Sequence, residues 1–128
     1  MIRSMHPSDL AAVTAIEQLV QTHPWKEQQF KESIDSYHST VIEQQGQVVG
    51  FCILQPVLDE ANLLLMAVHP SQQGKGLGYQ LLEASIAQLK NDPLQIFLEV
   101  RESNQAAIRE HAIIMIKSCS DDFAHLFK

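Results

Sequence analysis

The sequence predicts an α/β fold: one domain, residues 1–128, built on a mixed sheet with helices on both faces. Three observations predict it. Apolar residues recur at helical spacing over 9–21 and again over 77–91. Two nearly continuous apolar runs of strand length, "ANLLLMAV" at 61–68 and "LQIFLEV" at 94–100, flank the second stretch. Such runs belong to strands buried on both faces. The remaining strand candidates cluster earlier, so grouped strands precede one strand–loop–helix–strand unit, and that order mixes pairing directions. At 128 residues the chain can bury a core without staples.

The elements follow in order. "IRSM" at 2–5 is a short strand. His6-Pro7-Ser8-Asp9 carries helix-start chemistry, with a proline and two residues able to cap N–H groups. Leu10, Val13, Ile16, Leu19 and Val20 then form the apolar side of a helix over 9–21. His23-Pro24 breaks it, and Trp25, Phe30 and Ile34 mark a second, shorter helix. "STVIEQQGQVVGFCILQPV" reads as two strands around a tight turn at Gln45-Gly46. The strand at 61–68 is stopped by Pro70. Leu77, Leu81, Leu82, Ile86 and Leu89 keep helical spacing to Asn91, where Asp92-Pro93 ends the helix. "LQIFLEV" is a strand, "NQAAIRE" starts helically, and "HAIIMIK" is the last strand. Repeats, linkers and low-complexity tracts are absent.

Composition excludes several classes. No apolar run is long enough to span a membrane. "MIRSMHPSDL" has a charge but no apolar core behind it, unlike a signal peptide. Cys52 and Cys119 lie far apart and form no CxxC pair, which argues against a disulfide framework or zinc and for a reducing, cytoplasmic setting. The six histidines show no ligand spacing, so no metal site is expected. The formal charge is −6 with dispersed Lys and Arg, unlike a nucleic-acid binder. That balance suits a small molecule or basic peptide as partner, or plain solubility.

"QQGKGLG" at 72–78 holds three glycines in seven residues. A Walker loop needs Ser or Thr after the lysine, but Gly76 follows Lys75. A dinucleotide fingerprint needs glycine where Tyr79 stands. What remains is Gln73, Gly74, Lys75, Gly76, Leu77 and Gly78 between a strand end and a helix start. Open N–H groups there bind anions, and glycine lets the backbone approach a phosphate. A ligand-free tight turn would use glycine too; three of them, with Lys75 among them, favour phosphate.

Gln-x-x-Gly-x-Gly after a buried strand and "VHP" resembles the acetyl-CoA pyrophosphate loop of the GCN5-related N-acetyltransferases (GNAT). The resemblance extends from the N-terminus to Arg109. "PW" at 24–25, "VLDEANLL" at 57–64, "AVHPSQQGKGLGYQLLE" at 67–83 and "LEVRESNQAAIR" at 98–109 are similar to one bacterial branch. That branch acetylates the N-terminal alanine of small-subunit ribosomal protein eighteen. The resemblance implies acetyl-CoA as cofactor and a ribosomal protein N-terminus as substrate. It implies that the backbone of Met66, Ala67 and Val68 pairs with the pantetheine arm, between two parallel strands that splay apart. Asn104 matches the position that hydrogen-bonds coenzyme A, and can also cap its helix.

The reaction needs a base to free the attacking amine. Glu99 is the carboxylate inside the apolar run 96–100, where desolvation raises a carboxyl pKa. On the residues alone it is equally an ion-pair partner of Arg101; the resemblance favours the base. Glu102 reads as loop charge, and Cys52, inside "VVGFCILQ", reads as core. Acetyl transfer is therefore expected by direct attack.

The sequence departs from the family after "AAIR". There the family continues with Leu-Tyr-Glu-x-Leu-Gly-Phe, whose tyrosine protonates the leaving thiolate. Here the chain enters "EHAIIMIK", which resembles the final strand of the family, so part of a helix, a strand and a loop are missing between Arg109 and Glu110. Tyr37 and Tyr79 are the only tyrosines, and neither holds the motif position. This C-terminal truncation leaves three readings open: the N-terminal acetyltransferase, a coenzyme-A-binding relative without full turnover, or a small-amine acetyltransferase. It also predicts an exposed apolar face, hence a homo-oligomer or a dynamic C-terminal part. The last strand is expected antiparallel beside "LQIFLEV".

Overall fold

The computed structural model describes residues 1–57, 60–89, 95–98 and 114–116, the last two stretches by their backbone course. Its strands are β1 (Ile2–Ser4), β2 (His38–Gln44), β3 (Gln47–Val57), β4 (Glu60–Val68), β5 (Gln95–Leu98) and β6 (Ile114–Ile116). Its helices are α1 (Leu10–Val20), α2 (Glu27–Ser36) and α3 (Leu77–Ala87), with short 3-10 turns at Pro7–Asp9 and Pro70–Gln72. The strands form one sheet in chain order, β1 to β6. Neighbours from β1 to β4 run antiparallel, whereas β5 is parallel to β4 and β6 to β5. The mixed sheet is therefore as the sequence predicts.

The β2–β3 connection is the predicted two-residue turn. Gln45 at φ 54° and Gly46 at φ 79° are both left-handed, the conformation that matches the twist of a tight hairpin. Side-chain alternation along β3 then divides the core. Phe51 and Ile53 join Val41, Leu65 and Ala67 against Leu10, Val13 and Ile16 of α1 and Phe30 of α2. Cys52 and Leu54 join Ile42, Met66 and Val68 against Leu77, Leu81, Leu82 and Ile86 of α3. Helices thus cover both faces.

Specific contacts fix each helix to the sheet. The Phe30 ring meets Phe51 edge-on at 5.1 Å and Trp25 at 5.4 Å, which locks α2 and the chain before it onto β3. Glu17, fully buried on α1, accepts the backbone N–H of Trp25 at 2.9 Å and so clamps the α1–α2 connection. On the other face Ser85 donates to the Leu81 carbonyl and lies 2.6 Å from the Thr40 hydroxyl, tying α3 to β2. Arg3 binds the Asp9 carboxylate through two nitrogens at 2.8 and 3.0 Å and also reaches Glu43. That pairing, first through the Arg3 hydrogen bonds, holds the Asp9 carboxyl below its ordinary range.

Several expectations are corrected. Asp9 does not cap α1 with its side chain, because Arg3 and the His6 N–H occupy it. Leu19 is 60% exposed: nine residues after Leu10, at about 100° per residue, it points away from the buried stripe. Trp25 lies before α2, which begins at Glu27. α3 ends at Ala87, not Asn91; the Leu89 N–H closes on the Ile86 carbonyl at 3.1 Å while its side chain stays buried. Asp92-Pro93, the expected stop, lies outside the described residues. β6 pairs parallel to β5, through Ile96↔Ile114 to Leu98↔Ile116, not antiparallel as expected.

Two outcomes follow from this packing. Phe30→Ala removes the ring between α2 and β3 and is expected to cost about 3–5 kcal/mol in urea unfolding. His38, partly buried at the start of β2, has its pKa held below 6.5, mainly by burial and against a hydrogen bond to Gln88. Above the unfolded value both states carry neutral imidazole. As pH falls below it the unfolded chain takes up a proton first, so stability declines until the lowered folded value is passed. Stepped-pH unfolding of His38→Gln is expected to show a shallower acid decline than wild type.

Candidate cofactor-binding site

The site begins with β4. Met66, Ala67 and Val68 are at most 2% exposed, their side chains divided between the two cores. What they can offer a ligand is main-chain N–H and C=O along the strand edge. One edge of β4 is paired to β3, from Gly50↔Val68 to Val57↔Glu60. On the other edge β5 pairs with residues 60–62, through Glu60↔Gln95, Ala61↔Ile96 and Asn62↔Phe97. Among the described residues no strand pairs with that edge over 63–68, and at its end the Val68 carbonyl accepts from the Gln73 side chain. The β3–β4 register shifts where this stretch begins, with Ile53 opposite Leu65 and Leu54 opposite Leu63. The extra residue, Leu64, forms a bulge, which bends and twists a strand away from its neighbour.

β4 leads into the glycine turn through a stretch whose donors are all internally bonded. The His69 N–H goes to the Val49 carbonyl at 2.8 Å, and the Gln72 N–H to the His69 carbonyl at 2.8 Å. Pro70 has no N–H. The Ser71 N–H goes to His69 Nδ1 at 3.1 Å, and the Gln73 N–H to the Pro70 carbonyl at 3.5 Å. The Gln73 side chain donates back to the Val68 carbonyl at 3.0 Å, lashing the turn to the strand end.

From Gly74 the pattern reverses. Among the described residues, no acceptor is paired with the backbone N–H of Gly74, Lys75, Gly76, Leu77 or Gly78. Gly74 at φ 83° and Gly76 at φ 77° take left-handed conformations, and Gly76 is the N-cap of α3 without a side-chain cap. A Ser, Thr, Asp or Asn at the N-cap would bond one of these N–H groups with its own side chain; glycine there leaves them open. The Lys75 ammonium lies beside the turn on the neutral Gln72 amide at 3.0 Å, so its charge is not compensated there. Leu77 is buried in the core, and Gly78 is buried at the start of α3. The sequence-predicted residues 66–68 and 73–78 thus come together as one strand edge and one turn of open N–H groups. Diphosphate fits this arrangement: it needs donors and a positive end of a helix, and both are present.

A scan of family models matches residues 10–112 to the acetyltransferase (GNAT) family. The chain belongs to the GNAT family. It is 42% identical over 109 residues to the [ribosomal protein bS18]-alanine N-acetyltransferase of Escherichia coli K12, covering 84% of this chain and 74% of that one. The crystal structure of the ribosomal-protein-S18-alanine N-acetyltransferase from Escherichia coli superposes with a TM-score of 0.73 at 41% identity, over 85% of this chain and 72% of that one. The fold of yncA from Salmonella typhimurium, solved with its cofactor acetyl-CoA, matches with a TM-score of 0.69 at 23% identity, over 87% of this chain and 75% of that one.

Other predicted residues fall elsewhere. Glu99, Arg101, Asn104 and the Arg109–Glu110 junction lie outside the described residues. Cys52 is fully buried, and burial pushes its thiol up to about 12; a thiol so protonated and covered does not act as a nucleophile. Among the described residues no cluster of three or more His, Cys, Asp or Glu could hold a metal ion, and no helix is long and apolar enough to cross a membrane. Sequence reasoning missed His69 as part of the turn, because histidine is not among the residue types that ordinarily signal a cap.

Gly76→Ala tests the turn. No atom lies within 4 Å of the added Cβ, so the cost is backbone strain at φ +77°, of order 1–2 kcal/mol. Calorimetry is expected to show acetyl-CoA affinity reduced roughly tenfold, whereas Gly46→Ala, with the same strain in the hairpin, should cost stability without a comparable loss of affinity.

Proposed function

We propose that this GNAT chain transfers acetyl from acetyl-CoA to the N-terminal alanine amine of a small-subunit ribosomal protein. The observation that carries the cofactor half is the run of five N–H groups at 74–78 that lack an acceptor among the described residues, one short turn beyond a strand edge that no described strand pairs. The acceptor half rests on the 42% identity to an enzyme named for that substrate. The chain acts in the cytoplasm on this reading, as a single domain.

Bound acetyl-CoA supplies an acetyl group already activated as a thioester. The N–H groups of 74–78 and Lys75 hold its diphosphate, the edge of Met66, Ala67 and Val68 orients its arm, and Asn104 adds a hydrogen bond. Glu99 takes the proton from the acceptor ammonium, leaving a neutral amine able to attack. Buried Cys52 offers no covalent route, which favours direct attack. The leaving sulfur must still gain a proton, and the sequence lacks the family tyrosine after Arg109. A thiol of pKa about 8.5 leaves as a thiolate that water can protonate, so loss of the acid slows the reaction rather than forbidding it. General acids contribute roughly 10²–10⁴-fold, so the missing tyrosine favours a second reading: a coenzyme-A binder with weak or no turnover.

Calorimetry with acetyl-CoA and acetylation of a basic peptide starting with alanine separate the two. Binding with measurable acetylation supports the enzyme; binding without it supports the second reading; absence of binding refutes both. Where turnover is seen, Glu99→Gln is expected to lower kcat at least about a hundredfold near neutral pH with little change in acetyl-CoA binding. Full activity of that variant across pH would remove Glu99 as the base.

A further inference from the structure

The turn at 69–73 depends on one side chain that the proposed chemistry does not use. His69 stands at the N-cap of the 3-10 turn Pro70–Gln72, a position ordinarily filled by Ser, Thr, Asp or Asn. Its Nδ1 lies 3.1 Å from the Ser71 backbone nitrogen and 2.9 Å from the Ser71 Oγ. A backbone N–H only donates, so Nδ1 must carry a lone pair and the ring proton sits on Nε2. With Nδ1 an acceptor, the Ser71 hydroxyl in turn donates to it. The imidazole therefore does what an Asn or Asp oxygen does in a turn, accepting from the N–H two residues on.

The consequence is positional. Every N–H from His69 to Gln73 has an internal acceptor, and every one from Gly74 to Gly78 lacks one among the described residues. The boundary between them falls where the diphosphate-binding donors begin. Without the His69 acceptor, the Ser71 N–H loses its internal partner, and the segment that aims the five N–H groups keeps only the Gln72 and Gln73 bonds to hold it. Resting on the cofactor reading above, we propose that His69 is a positioning residue for the diphosphate-binding turn, acting through Ser71 without touching the cofactor.

The test compares wild type, His69→Ala and His69→Asn by acetyl-CoA calorimetry and by amide hydrogen exchange over 69–78. His69→Ala is expected to bind acetyl-CoA about tenfold more weakly, the scale of a lost cap, and to exchange faster over 69–78 with other segments unchanged. His69→Asn restores the acceptor and is expected to return both readouts to within about twofold of wild type. Where turnover is measurable, the loss in His69→Ala should appear in KM for acetyl-CoA rather than in kcat. A merely space-filling role would not be rescued by the smaller Asn. Wild type that binds while His69→Ala binds equally well, or His69→Asn as weak as His69→Ala, overturns this assignment alone. Wild type that fails to bind acetyl-CoA overturns the cofactor reading and this assignment with it.

Discussion

The organisation of this protein depends on how β4 is used. Its side chains are committed to two cores at once, Leu65 and Ala67 toward α1 and α2, Met66 and Val68 toward α3. One edge is held by β3. A strand so enclosed has a single surface left for recognition, its second main-chain edge. The Leu64 bulge and the end of β5 pairing after Asn62 coincide at the start of that edge. A ligand that binds there must present its own amide or carbonyl groups in an extended form, as a strand would. On the proposed reading, recognition by backbone is what would let apolar residues with no evident chemistry, "LLMAV", serve a cofactor.

The same logic governs the turn that follows. On the proposed reading, specificity for an anion would come from which donors are withheld from internal use, not from added charge alone. Lys75 contributes the one cationic side chain in the turn, on a chain of net charge −6. In that setting oriented N–H groups and the helix dipole carry the attraction locally. The acidic remainder of the molecule is then compatible with a basic peptide as acceptor without weakening the anion site much, since salt screens distant charge over about 10 Å.

Much of this was legible in the sequence, for physical reasons that differ by element. The hairpin at Gln45-Gly46 and strands on the apolar runs 61–68 and 94–100 are written in turn residues and apolar runs, and the structure has strands at Glu60–Val68 and Gln95–Leu98. The glycine turn was legible because positive φ demands glycine, and Gly74 and Gly76 both take it. Helix ends were not. Asp9 has capping chemistry but is diverted by Arg3, an interaction between residues of different elements that periodicity cannot reveal. Leu19 has the right type and the wrong phase. His69 is invisible to residue preference because it supplies an acceptor through a ring nitrogen. The direction of β6 is not legible either, since an apolar run marks a strand without marking which way it pairs.

The meander from β2 to β4 has a further consequence. Its two connections span two residues each, at 45–46 and 58–59, so closing them costs little chain entropy. β1, by contrast, must find β2 across α1 and α2, and β5 must find β4 across α3. Low sequence separation makes β2–β3–β4 the natural folding nucleus, with the outer strands docking onto it later. On that view substitutions in the meander slow refolding while those in β1 mainly speed unfolding; equal effects on refolding from both would refute it. The strand that presents the binding edge would then be ordered while the chain around it is still assembling.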